Sequence, residues 1–337
     1  MDNFITDYDK QVFREELYDF LPDKIVDSHS HVFLPEHERV GVKGKWVNKV
    51  FCEASIEETI ARYNALFGDK KVTPVIFGTP SGLVEQSNQY VAKVSKKTGF
   101  PALFMSRYGD SSEYIEEQVI KGGFQGLKPY LYNCNPNVNG ANADIFDFLP
   151  EEHLKISDKH GWKVVLHISK PERLKHENNV KQLLEIEQKY PNVKLIVAHI
   201  GRAYCEEDLG NSLEILSSNT KNMLFDFSAN TNSFVIEKCI KLFGSKRVLF
   251  GTDMPIARMR MYRICENGNY VNVVPRGMYG DVSSDPHMRE TDEKNVTNFC
   301  YEILRAFKTA SKNLSLTKSD IDNVMWKNAS VLYGINE

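Results

Sequence analysis

Lys24-Ile-Val-Asp-Ser-His-Ser-His31 reads as a short buried strand that ends in two imidazoles. In extended backbone, residues i and i+2 point to one side, so His29 and His31 converge while Ser28 and Ser30 face away. Neutral imidazole ligates zinc and similar divalent ions. On its own a His-x-His is more often a pair of surface or packed histidines. What gives this one weight is that the same unit recurs downstream: an apolar run, a polar residue at its C-terminal end, then a helical stretch.

After a lead helix over 7–20 and the first strand, a long segment at 32–54 is too extended for an ordinary connector and is expected to cover something functional. A helix follows at 55–67. Strands are then predicted at 72–77, 101–106, 124–130, 163–168, 194–199, 222–227 and 247–252. Helices separate them, near 83–98, 111–121, 144–160, from Pro171 onward, 206–219 and around 236–243, where Ile236, Cys239, Ile240 and Phe243 fall at helical spacing. With 24–29 this makes eight strand candidates, each followed by a helix candidate. Strict alternation implies right-handed crossovers and a parallel sheet, and eight units favour a (β/α)8 TIM barrel, an α/β fold. A doubly wound open sheet is the alternative, weakened because no Gly-x-Gly-x-x-Gly follows any strand. The eighth strand leads into an irregular insert at about 255–290, then C-terminal helices at 292–311 and from Thr317 to just before Gly334. No linker interrupts the chain, so 1–337 reads as one barrel domain.

Composition excludes several function classes. The 337 residues are 42% hydrophobic and 26% charged, an ordinary globular balance. A net charge of −3 leaves no basic footprint for nucleic acid. No apolar run approaches the roughly 20 residues of a membrane span, and the acidic N-terminus has no signal-peptide core, which points to the cytoplasm. Cys52, Cys134, Cys205, Cys239, Cys265 and Cys300 are scattered without a Cys-x-x-Cys pair, so free thiols in a reducing compartment are expected.

Active sites of such barrels gather at the C-terminal strand ends. Those ends carry His29 and His31, then Arg107 (third strand), Lys128 (fourth), His167 (fifth), His199 (sixth) and Asp253 (eighth). Four of the nine histidines therefore fall at three strand ends. A lone His167 would read as a core histidine and a lone Asp253 as a helix cap, but together with the first pair they read as one site. His37, His153, His160 and His176 are expected to face solvent.

Val26-Asp-Ser-His-Ser-His31, Gly126-Leu-Lys128, Leu166-His167, Ala198-His-Ile-Gly201, Leu249-Phe-Gly-Thr-Asp253 and the ending Asn328-Ala-Ser-Val-Leu-Tyr-Gly334 resemble the amidohydrolase superfamily, and within it the amidohydrolase-2 branch. The resemblance covers nearly the whole chain, with the insert its weakest part. It implies a divalent metal held by His29, His31, His167 and Asp253. Three imidazoles and a carboxylate suit zinc, with manganese or another first-row metal as the alternative. The resemblance implies a mononuclear site in which His199 acts on substrate or proton; in binuclear relatives its counterpart binds a second metal. There a lysine at the position of Lys128 is carboxylated and bridges two metals; the simpler reading is a cation for a substrate carboxylate.

Arg258, Arg260 and Arg263 crowd the insert with Arg276 and His287, and Arg107 and Arg202 follow strands three and six. Arginine forks suit carboxylates, so a small anionic substrate is expected, with Tyr130, Asn133, Tyr262 and Tyr279 able to bind hydroxyls, which leaves sugar acids or their lactones open. The expectation is a metal-dependent hydrolase of a lactone or amide, with Asp253 as general base toward a metal-activated water and His199 beside it. A non-oxidative decarboxylase is the runner-up and a non-catalytic binding protein the distant third. Homo-oligomerisation is left open.

Overall fold

The computed structural model describes residues 5–38, 46–50 and 53–336. Of the connector at 32–54, residues 39–45 and 51–52 therefore lie outside the described residues.

The parallel strands are β1 (Lys24–His31), β2 (Lys71–Phe77), β3 (Gly126–Leu127), β4 (Lys163–Leu166), β5 (Lys194–Val197), β6 (Leu224–Asp226) and β7 (Val248–Leu249). β1 pairs with β2, and β3 to β7 form one sheet in sequence order. The expected third strand is present as residues 101–104, bridging Ile76 on one side and Leu127 on the other through Ala102 and Phe104. Past β7, Phe250 O accepts from Ser28 N and Met254 O from His31 N, so backbone bonds run from the last strand back to the first. This is a (β/α)8 TIM barrel. β3 to β7 are shorter than the predicted strands, whereas β1 and β2 run longer, β1 staying paired with β2 through His31. The register of β1 on β2 slips between Asp27 and Ser30, at the histidine pair.

Branched side chains fill the barrel, with Val26, Val75, Leu103, Val165, Ile196 and Leu249 packed together inside the ring. A second cluster lies between the strands and the surrounding helices. Among these helices are Ile56–Phe67, Val84–Thr98, Ser112–Gly122, Glu177–Lys189 and Ser233–Phe243. Pro171 does not open a helix as expected; a short turn at Arg173–Lys175 intervenes and the helix starts at Glu177. His176 caps it, its Nδ1 accepting from Asn178 N at 3.2 Å.

Gly126 shows how tightly β3 meets β4. Its φ is +153°, and a Cβ there would stand 1.9 Å from Lys163 O. We expect Gly126→Ala to lower stability by about 3 kcal/mol or more, through backbone strain and overpacking against a neighbouring main chain. A urea midpoint equal to that of the parent protein would contradict this.

The insert after β7 is not irregular. It contains β8 (Tyr262–Glu266), β9 (Asn269–Pro275) and β10 (Met288–Thr291) in one sheet ordered β10-β9-β8. Asn267 and Gly268 turn the β8–β9 hairpin with φ of +51° and +74°. Asn-Gly is a strong signal for such a two-residue turn, and Ile264, Val271 and Val273 alternate around it. The thiol expectation is also corrected: Cys205 and Cys265 form a disulfide, while Cys134, Cys239 and Cys300 are free. Folding of the hairpin brings two cysteines 60 residues apart in sequence to a Cα separation of 5.8 Å, which spacing alone cannot reveal. The disulfide removes the cysteine argument for a reducing compartment. No helix among the described residues is long and apolar enough to cross a membrane.

Candidate metal centre

β1 delivers its two histidines buried, His29 at 1% exposure and His31 at 4%. Each Nδ1 is tied to an oxygen: His29 to Asp226 Oδ2 at 2.9 Å and His31 to Gly78 O at 2.6 Å. His199 Nδ1 lies 2.9 Å from Ser228 O. Carbonyl and carboxylate oxygens accept, so each Nδ1 carries the hydrogen and each Nε2 presents its lone pair. All three lone pairs meet Asp253. Its Oδ1 is 3.4 Å from His29 Nε2 and 3.8 Å from His31 Nε2, and its Oδ2 is 4.0 Å from His199 Nε2. Asp253 is held in turn by its own N–H, which donates to His29 O at 2.8 Å.

Burial pushes the imidazoles of His29, His167 and His199 well below the ordinary histidine value, and that of His31 down to about 3. The charge of Lys128 acts on all four in the same direction. Neutral imidazole is the ligating form. Burial also drives Asp253 well above the usual carboxylate range, opposed chiefly by Lys128.

The fit to a divalent cation can be tested on the orphaned groups. His29 Nε2 and His167 Nδ1 are buried with no hydrogen-bond partner among the described residues. His29, His31 and Asp253 offer ligand atoms within 4.8 Å of one another, and so do His29, His199 and Asp226. His167 stands on the same face, its ring 5.2 Å from that of His199 and 4.8 Å from that of Tyr130, but its nitrogens do not join either group. A concentration of buried, unprotonated nitrogens around one carboxylate suits a cation and little else.

Lys128 is fully buried, and its Nζ has no hydrogen-bond partner among the described residues. It lies over the rings of Phe77 at 5.1 Å and Tyr130 at 5.6 Å. Burial draws its ammonium down to about 8, with Asp253 and Asp226 holding it up. Arg202 donates to Lys170 O at 3.2 Å, and its charge acts on His167 and Tyr130. Arg263 donates to Asn272 Oδ1 and Ala229 O.

The remaining cations are engaged elsewhere. Arg107 is clamped on Asp110, Nε to Oδ1 at 2.9 Å. Arg258 donates to Val50 O and Glu53 O. Arg260 pairs with Asp9 and donates to Val296 O. Arg276 pairs with Asp292. Tyr279 receives the N–H of Arg260, Tyr262 donates to Glu293, and Asn133 reaches Pro80 O at 3.4 Å. Of the histidines expected in solvent, His37 and His153 are buried instead, at 6% and 0% exposure. His153 sits 2.8 Å from Asp110 O and so props the loop that holds Arg107.

Two carboxylates escape the sequence reading. Asp226 accepts from His29, from the backbone N–H of His199 at 2.9 Å and from Ser228 N at 3.1 Å. Asp27 accepts from Tyr63 OH at 2.6 Å, from Thr252 N at 2.9 Å and from Thr252 Oγ1. It thereby fastens β1 to the turn that presents Asp253. His199, Arg202 and Asp253 all have left-handed backbone, with φ of +57°, +60° and +64°. Non-glycine residues in that region store strain, and such strain concentrates at functional sites.

An amidohydrolase family model matches residues 26–335. The chain belongs to the amidohydrolase-2 family. Amidohydrolase-2 proteins are metal-dependent enzymes, and the His/Asp groups here are placed to bind a metal. Solved structures similar to this amidohydrolase include a 2,6-dihydroxybenzoate decarboxylase from Rhizobium, at TM-score 0.59 and 14% identity over 93% of this chain and 99% of that one. A probable 2-pyrone-4,6-dicarboxylic acid hydrolase from Acinetobacter baumannii, with citric acid bound, has TM-score 0.57 and 16% identity over 92% and 99%. A 5-carboxyvanillate decarboxylase from Novosphingobium aromaticivorans, complexed with manganese, has TM-score 0.57 and 12% identity over 92% and 96%. No curated protein sequence matches the chain.

Proposed function

We propose that the chain is a metal-dependent hydrolase that cleaves a C–O or C–N bond of a small anionic substrate, such as a lactone or an amide. The observation that carries the reading is the set of fixed tautomers: three Nε2 lone pairs turned toward Asp253 by acceptors behind each ring. In this reading His29, His31, His167 and Asp253 hold one divalent ion, zinc or, as the alternative, manganese. Such an ion supplies Lewis acidity and brings the pKa of a water to about 7.

The chain's own groups do the rest. Asp253 acts as general base, taking a proton from the attacking water and delivering it to the leaving group. His199 Nε2 stands 4.0 Å from Asp253 Oδ2, beyond hydrogen-bond reach, and offers a second proton acceptor on the same face of the site. Lys128, Arg202, Arg263 and Tyr130 face the substrate's anionic oxygens, Lys128 as a desolvated cation whose Nζ has no hydrogen-bond partner among the described residues. Arg107, Arg258 and Arg260, expected from the sequence to bind substrate, are assigned to the scaffold because their guanidiniums already serve Asp110, backbone carbonyls and Asp9.

A non-oxidative decarboxylase is the second reading. It is favoured by the buried, unpartnered Lys128, which would fix a carboxylate beside the metal. Two of the three similar solved structures named above are decarboxylases. Elemental analysis of protein purified without added metal or chelator is expected to find about one zinc or manganese per chain. Protein that holds none and takes none up on titration would end both readings. Carbon dioxide release from a panel of carboxylic acids, without hydrolysis of lactones or amides, would move the assignment to the decarboxylase.

A further inference from the structure

The β8–β9 hairpin lies against the segment that carries His199. Tyr204, two residues beyond Arg202 and buried, places its ring 6.5 Å from that of His199. On the outer side of Tyr204 the guanidinium of Arg263 stands 4.4 Å from the ring, and Tyr270 packs edge-on at 5.0 Å. A wall of aromatic faces with two guanidiniums against it, those of Arg263 and of Arg173, which is paired with Asp208, thus runs outward from the metal centre to the insert.

Arg263 differs from its neighbours in how it is used. Nε donates to Asn272 Oδ1 at 2.8 Å and Nη1 to Ala229 O at 2.6 Å, so the plane of the group is fixed. Nη2 has no hydrogen-bond partner, and no carboxylate pairs with Arg263, among the described residues. Arg260, Arg276 and Arg289 of the same insert are each paired with an acid. A guanidinium with two nitrogens pinned and the third open is prepared for an anion, because little side-chain freedom is left to lose on binding.

The disulfide closes the arrangement. Cys205 follows Tyr204 directly, and Cys265 lies two residues beyond Arg263 on the same strand. The cross-link therefore ties both partners of the Arg263–Tyr204 contact together at their backbones.

We propose that the β8–β9 hairpin is the arm that selects the substrate: Arg263 grips a carboxylate at the far end of a flat anion lying along Tyr204, and the Cys205–Cys265 bond keeps the arm seated. This rests on the metal-dependent reading above, with the near end of the anion at the metal. The arm therefore favours a flat molecule with two acidic groups over one with a single group.

The test uses isophthalate, with two carboxylates meta to each other on one ring, and benzoate, with one, titrated calorimetrically into zinc-loaded protein. Isophthalate is expected to bind about 10- to 100-fold more tightly than benzoate, the range of one charge-assisted contact. Arg263→Met is expected to bring the ratio close to one with the zinc content unchanged. A paired Cys205→Ser, Cys265→Ser variant is expected to lower the ratio several-fold. Equal or absent binding of the two anions by zinc-loaded parent protein overturns the inference, and so does an Arg263→Met variant that keeps the preference. A Cys variant with the full ratio removes the disulfide from it. A chain that takes up no zinc overturns the metal reading, and this inference with it.

Discussion

Replacing His29 with alanine is expected to abolish stoichiometric metal binding and with it nearly all activity, while the barrel stays folded. His29 is the one imidazole that both metal-capable groups share, with His31 and Asp253 on one side and His199 and Asp226 on the other. Its removal therefore takes a donor from every arrangement the site can offer. Asp226→Asn provides the graded comparison. The carboxylate fixes the His29 tautomer from behind and also holds the His199 backbone, and loss of such an outer partner typically costs 10- to 100-fold in metal affinity or activity. The His29 variant should fall well below the Asp226 variant. The checks are metal per chain by elemental analysis, together with circular dichroism to confirm the fold. A His29→Ala protein with the parent's metal content would refute the assignment of His29 as a ligand.

The histidines were legible because a parallel barrel collects its strand ends on one face, so residues far apart in sequence converge without any contact having to be guessed. Asp226 is on the same footing: it ends β6, inside the seventh predicted strand at 222–227, from which the sequence reading draws no site residue. An acid at the end of an apolar run is ambiguous, because it serves a helix cap or a surface as readily as a site. The arginines were less legible, because proximity in sequence is not proximity in a hairpin. Arg258 and Arg260 sit before β8 and turn toward the connector and the lead helix, while Arg263 points from β8 toward Ala229. The insert reads as irregular from its prolines and glycines, yet the Asn267-Gly268 turn and the alternation beside it mark a hairpin. Tyr204 carries no motif at all. Its place is set by the left-handed backbone of residues 199–202 and by the disulfide, neither of which the sequence announces.

Asp9→Asn is expected to destabilise the fold by about 3–5 kcal/mol, the cost of leaving one member of a buried ion pair uncompensated. Asp9 is fully buried in the lead helix Asp7–Val12 and meets Arg260 at 2.5 Å, 251 residues away. The same carboxylate accepts from Thr6 N at 2.8 Å and Asn298 N at 2.9 Å, so it joins the first helix, the start of the insert and the cap of the helix Phe299–Asn313. Burial alone would raise its pKa. The Arg260 contact and the backbone N–H groups of Thr6 and Asn298 outweigh that and hold it below the usual aspartate value. A depressed folded pKa contributes stability that is fully present above the unfolded value of about 3.9 and is lost as the pH falls through the folded one. The stability gap between parent and Asp9→Asn should therefore be largest at neutral pH and narrow below about pH 4. Arg260→Met should show a comparable loss with the metal content unchanged, and the double variant should lose less than the sum, since the two singles remove the same contact. Urea unfolding of the four proteins at neutral and acid pH measures each of these. If Arg260→Met instead kept full stability and raised KM, Arg260 would belong with the substrate after all.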